Sequence, residues 1–315
     1  MVTTKEQMQA DKKAADKKKE DSLELFWKYV KALFGHFFDQ KNNDTKEKEK
    51  ENKHKPQQHS TIIQSIKGDL SISDLMKKYH VTADDLQAIC DKIPEAIGEI
   101  GGGGTCKKLA RAADKVRTKY GSDGKPKTGD CVIGTRRIYN NAGISSLSCK
   151  QAWDAMAEAR KSYQNTNGGC NGYKALDASG DTISIAIKNT AYGKKRDSKE
   201  DLEMNEFFNL VQPGVTISVD SIEDPKVRAK QGNTKGGKYG HIAVKRSDGN
   251  WGCDFNQKDI NFARYGEYAH ISFPKDAKVP AELAKLLVAQ AISRQQAQAR
   301  QQQTQYYAMA SAKSR

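Results

Sequence analysis

Five short runs between residues 181 and 273 alternate apolar and polar residues: "DTISIAIKN", "GVTISVDS", "HIAVKR", "WGCDF" and "AHISF". A period of two belongs to strands that bury one face. The segments before them have helical spacing instead. These are "LARAADKVRTKYG" at 109–121, "CVIGTRRIYNNAGI" from Cys131, and "CKQAWDAMAEARKSY" at 149–163. Helices followed by closely spaced strands predict an α+β domain over 105–275, with N-terminal helices packed on an antiparallel sheet.

The rest of the 315-residue chain is more polar. Hydrophobic content is 37%, and mean hydropathy is −0.80. Residues 1–20 and 41–58, rich in Lys, Glu, Asn and Gln, read as solvated arms. Between them, residues 22–40 form an amphipathic helix carrying Leu23, Phe26, Trp27, Val30, Leu33, Phe34 and Phe37. Lys28, Lys31 and His36 interrupt its apolar surface, so it does not span a bilayer. It reads as a docking or membrane-surface helix, or as one packed back on the main domain. Residues 60–98 read as a small helical hairpin capped at Ser71 and Thr82. "IKGDLSISDLMKKYHVTADDLQAI" resembles the first half of a LysM module, and equally a helix-turn-helix. "GGGG" at 101–104 reads as a flexible joint. Pro280 opens a C-terminal helix with Leu283, Leu286, Leu287 and Ala291 on one stripe, ending in a Gln-rich tail. The charged N-terminus has no secretory pattern. The expectation is synthesis in the cytoplasm without a signal peptide, then export by a dedicated system or release onto a cell wall.

The formal charge is +14, and the pI is about 9.3. Such a surface favours nucleic acid, an anionic membrane or an anionic bacterial wall. Nucleic acid fits poorly. Basic and aromatic residues do not interleave, and a recognition helix at 82–92 would present Asp84 and Asp85 to phosphate. None of the six cysteines forms a C-x-x-C pair, so no zinc site is expected. Cys90, Cys106, Cys149, Cys170 and Cys253 read as packed thiols. Cys131 differs because it begins a helix directly after a loop. The unpaired N–H groups and dipole there stabilise a thiolate and can bind an oxyanion.

"HIAVKRSDGNWGCDFNQ" has an Asp248-Gly249 turn signal. A two-residue loop pairs Ser247 with Asn250 and sets His241 opposite Asn256, with Asp254 opposite Ala243. Alternation then puts His241, Asp254 and Asn256 on one face, and Ile242, Val244 and Phe255 in the core. Cys253 points away with Trp251. A thiol and a histidine oriented by a third group can cleave an amide without a metal or cofactor. His270, in "YAHISF", is the rival base and lacks a following acid–amide pair.

The ordered set "GDCVIGTRRIYNNAGI", "QPGVTISV" and "YGHIAVKRSDGNWGCDFNQ" resembles CHAP-type and NlpC-type cysteine peptidases. The resemblance covers residues 109–273. It implies a papain-like fold and cleavage of peptidoglycan amide bonds, with Cys131 as nucleophile, His241 as base, and Asp254 and Asn256 orienting the ring. Tyr120 stands upstream of the cysteine as in the NlpC type. Val132-Ile133 replaces the usual Ser-Gly after the cysteine, and Val215 stands where an Asp is usual. "YGKKRDSKEDLE" and "IEDPKVRAKQGNTKGGKYG" are basic inserts. CHAP domains usually have Glu in the acid position. The implied partners are peptidoglycan peptides, a secretion apparatus and an immunity protein, as for an antibacterial effector, toxin or phage lysin. Two other readings stand beside it. One is a basic scaffold with an inactive papain-like domain that docks through 22–40. The other is a host-directed protease or acyltransferase of the same chemistry.

Overall fold

The structure is a computed structural model that describes residues 61–118, 131–144, 180–222 and 240–313, with isolated positions between them. The helix expected at 22–40, both arms, the helix expected at 149–163, Tyr120, Cys149 and Cys170 lie outside the described residues. Two compact units are present, residues 68–295 and residues 1–67 with 296–315. The first holds every element that bears on the site. The second includes the outer half of the C-terminal helix.

The first unit begins with β1 (Leu70–Ser71), α1 (Ile72–Tyr79) and α2 (Ala83–Lys92). Ser71 and Thr82 each accept the N–H of the residue three on, and Asp74 and Asp85 bond back to their caps. These are capping boxes formed from local sequence alone. His80 ends α1 in the left-handed region. The "GGGG" stretch is no joint. Gly101 exchanges two backbone hydrogen bonds with Lys278, at 3.0 and 2.8 Å, and Gly104 already begins α3 (Gly104–Asp114). Pairing with β8 (Lys278–Val279), distant in sequence, pins it. α3 therefore starts before the expected 109 and stops before 121.

α4 (Cys131–Asn141) follows. Next come β2 (Thr182–Lys188), α5 (Lys199–Asn209), β3 (Thr216–Val219), β4 (His241–Lys245), β5 (Trp251–Gly252), β6 (Asn256–Gln257) and β7 (Tyr268–Pro274). α6 (Ala281–Lys313) continues through the Gln-rich stretch as one helix. β2 to β7 form one antiparallel sheet in the order β2-β7-β3-β4-β5-β6. The class is thus α+β. Among the described residues no helix is long and apolar enough to cross a membrane.

α3 and α4 cover one face of the sheet. Leu109, Ala112, Ala113, Ile138 and Tyr139 pack on Ile242 and Val244 of β4. The Tyr139 hydroxyl lies 2.7 Å from Thr216 Oγ1, and Thr135 donates to the Ile242 carbonyl at 3.2 Å. The free edge of β2 is closed by a side chain. Gln87 of α2 accepts from Ala186 N at 2.6 Å and donates to Ala186 O at 2.8 Å, so its amide stands where another strand would. The helical pair of 70–98 thus belongs to the same compact unit as the sheet.

The β4–β5 register differs from the expected one. Lys245 pairs with Trp251 and Val244 with Gly252, one residue away from a two-residue loop. Arg246 N bonds to Asn250 O at 2.9 Å, which leaves three residues in the loop. Gly249 takes φ +82, the left-handed position that closes a three-residue hairpin. Tertiary contacts select this loop. Arg246 spans the end of α3, donating to Ala113 O at 2.9 Å and to Asp248, while Ser247 N donates to Asp114 Oδ1 at 2.9 Å. The expected long second strand also breaks. Cys253–Phe255 turn, and β6 pairs back on β5, with Gly252 opposite Asn256. Asn256 is therefore not opposite His241, Asp254 is not opposite Ala243, and Phe255 is only partly buried.

Candidate active site

Cys131 is the first residue of α4, as its place after a loop predicts. It is partly exposed and packs beside the Leu109–Ile242 cluster. The first N–H groups of a helix have no partner within it, and they point toward the position this thiol occupies. One turn later stands Gly134. A Cβ there would lie 2.1 Å from Asp254 N and 2.3 Å from Cys253 C. Only a glycine lets the helix meet the 253–255 turn backbone to backbone, and this contact brings the acid toward the cysteine.

His241 opens β4 and is 4% exposed. Burial pulls its imidazole down to about 4, and the Asp254 carboxylate opposes that shift without cancelling it. The ring is therefore neutral at pH 7. Its Nε2 lies 2.6 Å from the Gln257 amide nitrogen, across β5. Tyr265 stacks on the ring, with centroids 5.5 Å apart and planes 19° from parallel. Burial, then the thiol of Cys131, push the Tyr265 phenol up, with Cys253 and Asp254 acting in the same direction. Tyr265 thus connects the two sequence-derived halves, touching the histidine and sensing the cysteine.

The four residues chosen from sequence have unequal places. Cys131, His241 and Asp254 share one neighbourhood. Asn256 lies on β6, its N–H donating to Thr118 Oγ1 at 3.2 Å, and its side-chain oxygen is buried without a partner. The amide that meets the ring is Gln257. Cys253, expected to point away, instead donates its thiol to Asp254 Oδ1 at 3.0 Å. Its thiol is pushed up by burial and by the neighbouring Cys131. The physical reason is the 253–255 turn, which ends strand alternation at Gly252. Cys90 and Cys106 are buried thiols, pushed up to about 12 and about 11 by desolvation. His270 sits 3.3 Å from Asp220, so the rival histidine does have a carboxylate, but from the end of β3.

Gln257 and Tyr265 are functional candidates that the sequence pattern does not single out. Gln257 ends the "DFNQ" run, one position beyond the acid–amide pair. Tyr265, in "FARYGEYAH", has no local signal. Among the described residues no group of three or more His, Cys, Asp or Glu is placed to hold a metal. Comparison of the chain with family models, curated proteins and solved structures gave no match.

Proposed function

We propose that this chain is a cysteine-dependent hydrolase of amide bonds in peptidoglycan, built on a papain-like plan. Cys131 is the nucleophile, His241 the general base, Gln257 the residue that orients the ring, and Asp254 the charge that steadies its protonated form. The observation that carries this reading is the convergence of the start of α4 and the start of β4 around Tyr265. With Nε2 engaged by Gln257, Nδ1 is left to receive the thiol proton. An amide suits that role because it can donate to a bare Nε2 or accept from Nε2–H.

The chemistry starts from a neutral imidazole. Cys131 sulfur attacks the amide carbonyl while its proton passes to His241. Imidazolium then returns that proton to the departing amine, and the carbon–nitrogen bond breaks. Water hydrolyses the resulting thioester and restores the thiol. The α4 N–H groups are suited to the oxyanion of each step. Peptidoglycan as substrate rests on the CHAP and NlpC resemblance and on the +14 charge, which suits an anionic wall.

The test uses purified peptidoglycan sacculi with wild type and Cys131→Ala, and mass spectrometry of released fragments. Release by wild type, lost by a factor of about 10³ or more in Cys131→Ala, is the expected result. Equal inactivity of both overturns it. One observation favours the scaffold reading: the base is only 4% exposed. On that reading wild type releases nothing, and its binding partners survive Cys131→Ala.

A further inference from the structure

We infer that Tyr265 is a positioning residue for His241, and that α5 with Asn189 is the device holding Tyr265 in place. The inference deepens the hydrolase reading and rests on it for the role of the ring. The structural observation is independent of that reading.

The segment 260–266 carries one short 3-10 turn at Phe262–Arg264 and a backbone bond from Gly266 N to Asp220 O at 2.6 Å, and side chains from elsewhere hold the rest of it. Asn205 of α5 both accepts from Ile260 N and donates to Ile260 O, each at 2.9 Å. Asp201, 2% exposed, accepts from Ala263 N at 3.0 Å. Phe208 stacks on Phe262 with centroids 4.9 Å apart. Asn189, before the 192–203 insert, donates to Phe262 O at 2.9 Å and to Gly266 O at 2.7 Å. Four side chains from outside the segment thus add to its own backbone bonds in holding it. The one side chain of that segment set against the imidazole is Tyr265. α5 itself is well started, with Ser198 accepting from Asp201 N and Glu200 and Asp201 in its first turn. What read as a basic insert therefore leads into a clamping helix.

A base must be held at one angle to take a proton from a fixed thiol, and a stacked ring removes its freedom to swing. Tyr265 also covers the imidazole against water. The groups that face the ring are Gln257, Asp254 and Tyr265, and the Cys131 and Cys253 thiols lie near the phenol.

The test is an NMR titration of the His241 ring in the full chain, without substrate. Wild type titrates near pH 4. Tyr265→Leu uncovers the ring, and the titration moves up by about one unit or more, toward the ordinary histidine range. Tyr265→Phe keeps the stacked ring and moves it by less than about half a unit. An unmoved titration in Tyr265→Leu overturns the proposal. If circular dichroism shows that variant unfolded, Asn205→Ala decides by the same readout. Its side chain touches Ile260 and neither ring, so an upward move supports the proposal and no move overturns it. Absence of any fragment release by wild type overturns the hydrolase reading instead, while the titration still decides whether Tyr265 holds and covers the imidazole.

Discussion

Asp85 and His241 are almost equally buried, at 0% and 4% exposed, and their surroundings are opposite in kind. Asp85 accepts from Thr82 N and Thr82 Oγ1, both at 2.9 Å, and from Arg294 Nε and Nη2 at 2.9 and 3.0 Å. Its charge is matched on every side, and it joins α2 to α6. His241 meets one amide and one aromatic ring, and its burial disfavours the charged form more than the Asp254 carboxylate favours it. A completed set of partners holds structure together. A buried group whose protonation equilibrium its surroundings shift is a candidate for proton transfer.

Breaking the first region should cost stability and spare chemistry. Asp85→Ala removes a cap worth about 1 kcal/mol and leaves Arg294 without its carboxylate, for about 4 kcal/mol in all. Urea unfolding should show that loss, while fragment release per folded molecule stays at the wild-type level. A matching fall in activity per folded molecule would erase the contrast between the two regions.

The second region predicts an acid-sensitive fold. His241 titrates near 6.5 when unfolded and about 4 when folded. Between those values the unfolded chain binds the extra proton, so stability is complete above pH 6.5 and falls as pH drops toward 4. The loss amounts to about 3 kcal/mol at the bottom of the window. Unfolding free energy measured across pH 4–7 should slope in wild type and flatten over this window in His241→Leu. Identical slopes would mean the imidazole is solvated.

What could be read from sequence follows the range of the forces involved. The caps at Ser71 and Thr82 and the helix start at Cys131 depend on neighbours within four residues. The strands 182–188, 216–219, 241–245 and 268–274 announce themselves by alternation. The β4–β5 register does not. It is decided by Arg246 and Ser247 gripping the end of α3, over 130 residues away in sequence. Local turn preference favours two residues at Asp248-Gly249, and the tertiary contacts take three. That single residue takes Asn256 from its place opposite His241, and the 253–255 turn, with β6 folded back on β5, brings Gln257 to the ring. α5 has a legible start in Ser198 followed by Glu200 and Asp201, but the lysines and arginine before it give the whole stretch the look of a charged insert. Tyr265 is not legible, because its place depends on Asn189 after β2 and on Asp201 and Asn205 of α5, all more than 50 residues away in sequence.

The pairing of Cys131 with His241 is tested most directly by the rate at which iodoacetamide modifies Cys131 at pH 7, read by peptide mass spectrometry in wild type and His241→Gln. Cys131 should react first among the thiols, and about tenfold more slowly once the base is gone. Modification no faster than that of a simple thiol, and indifferent to His241→Gln, would contradict the pairing.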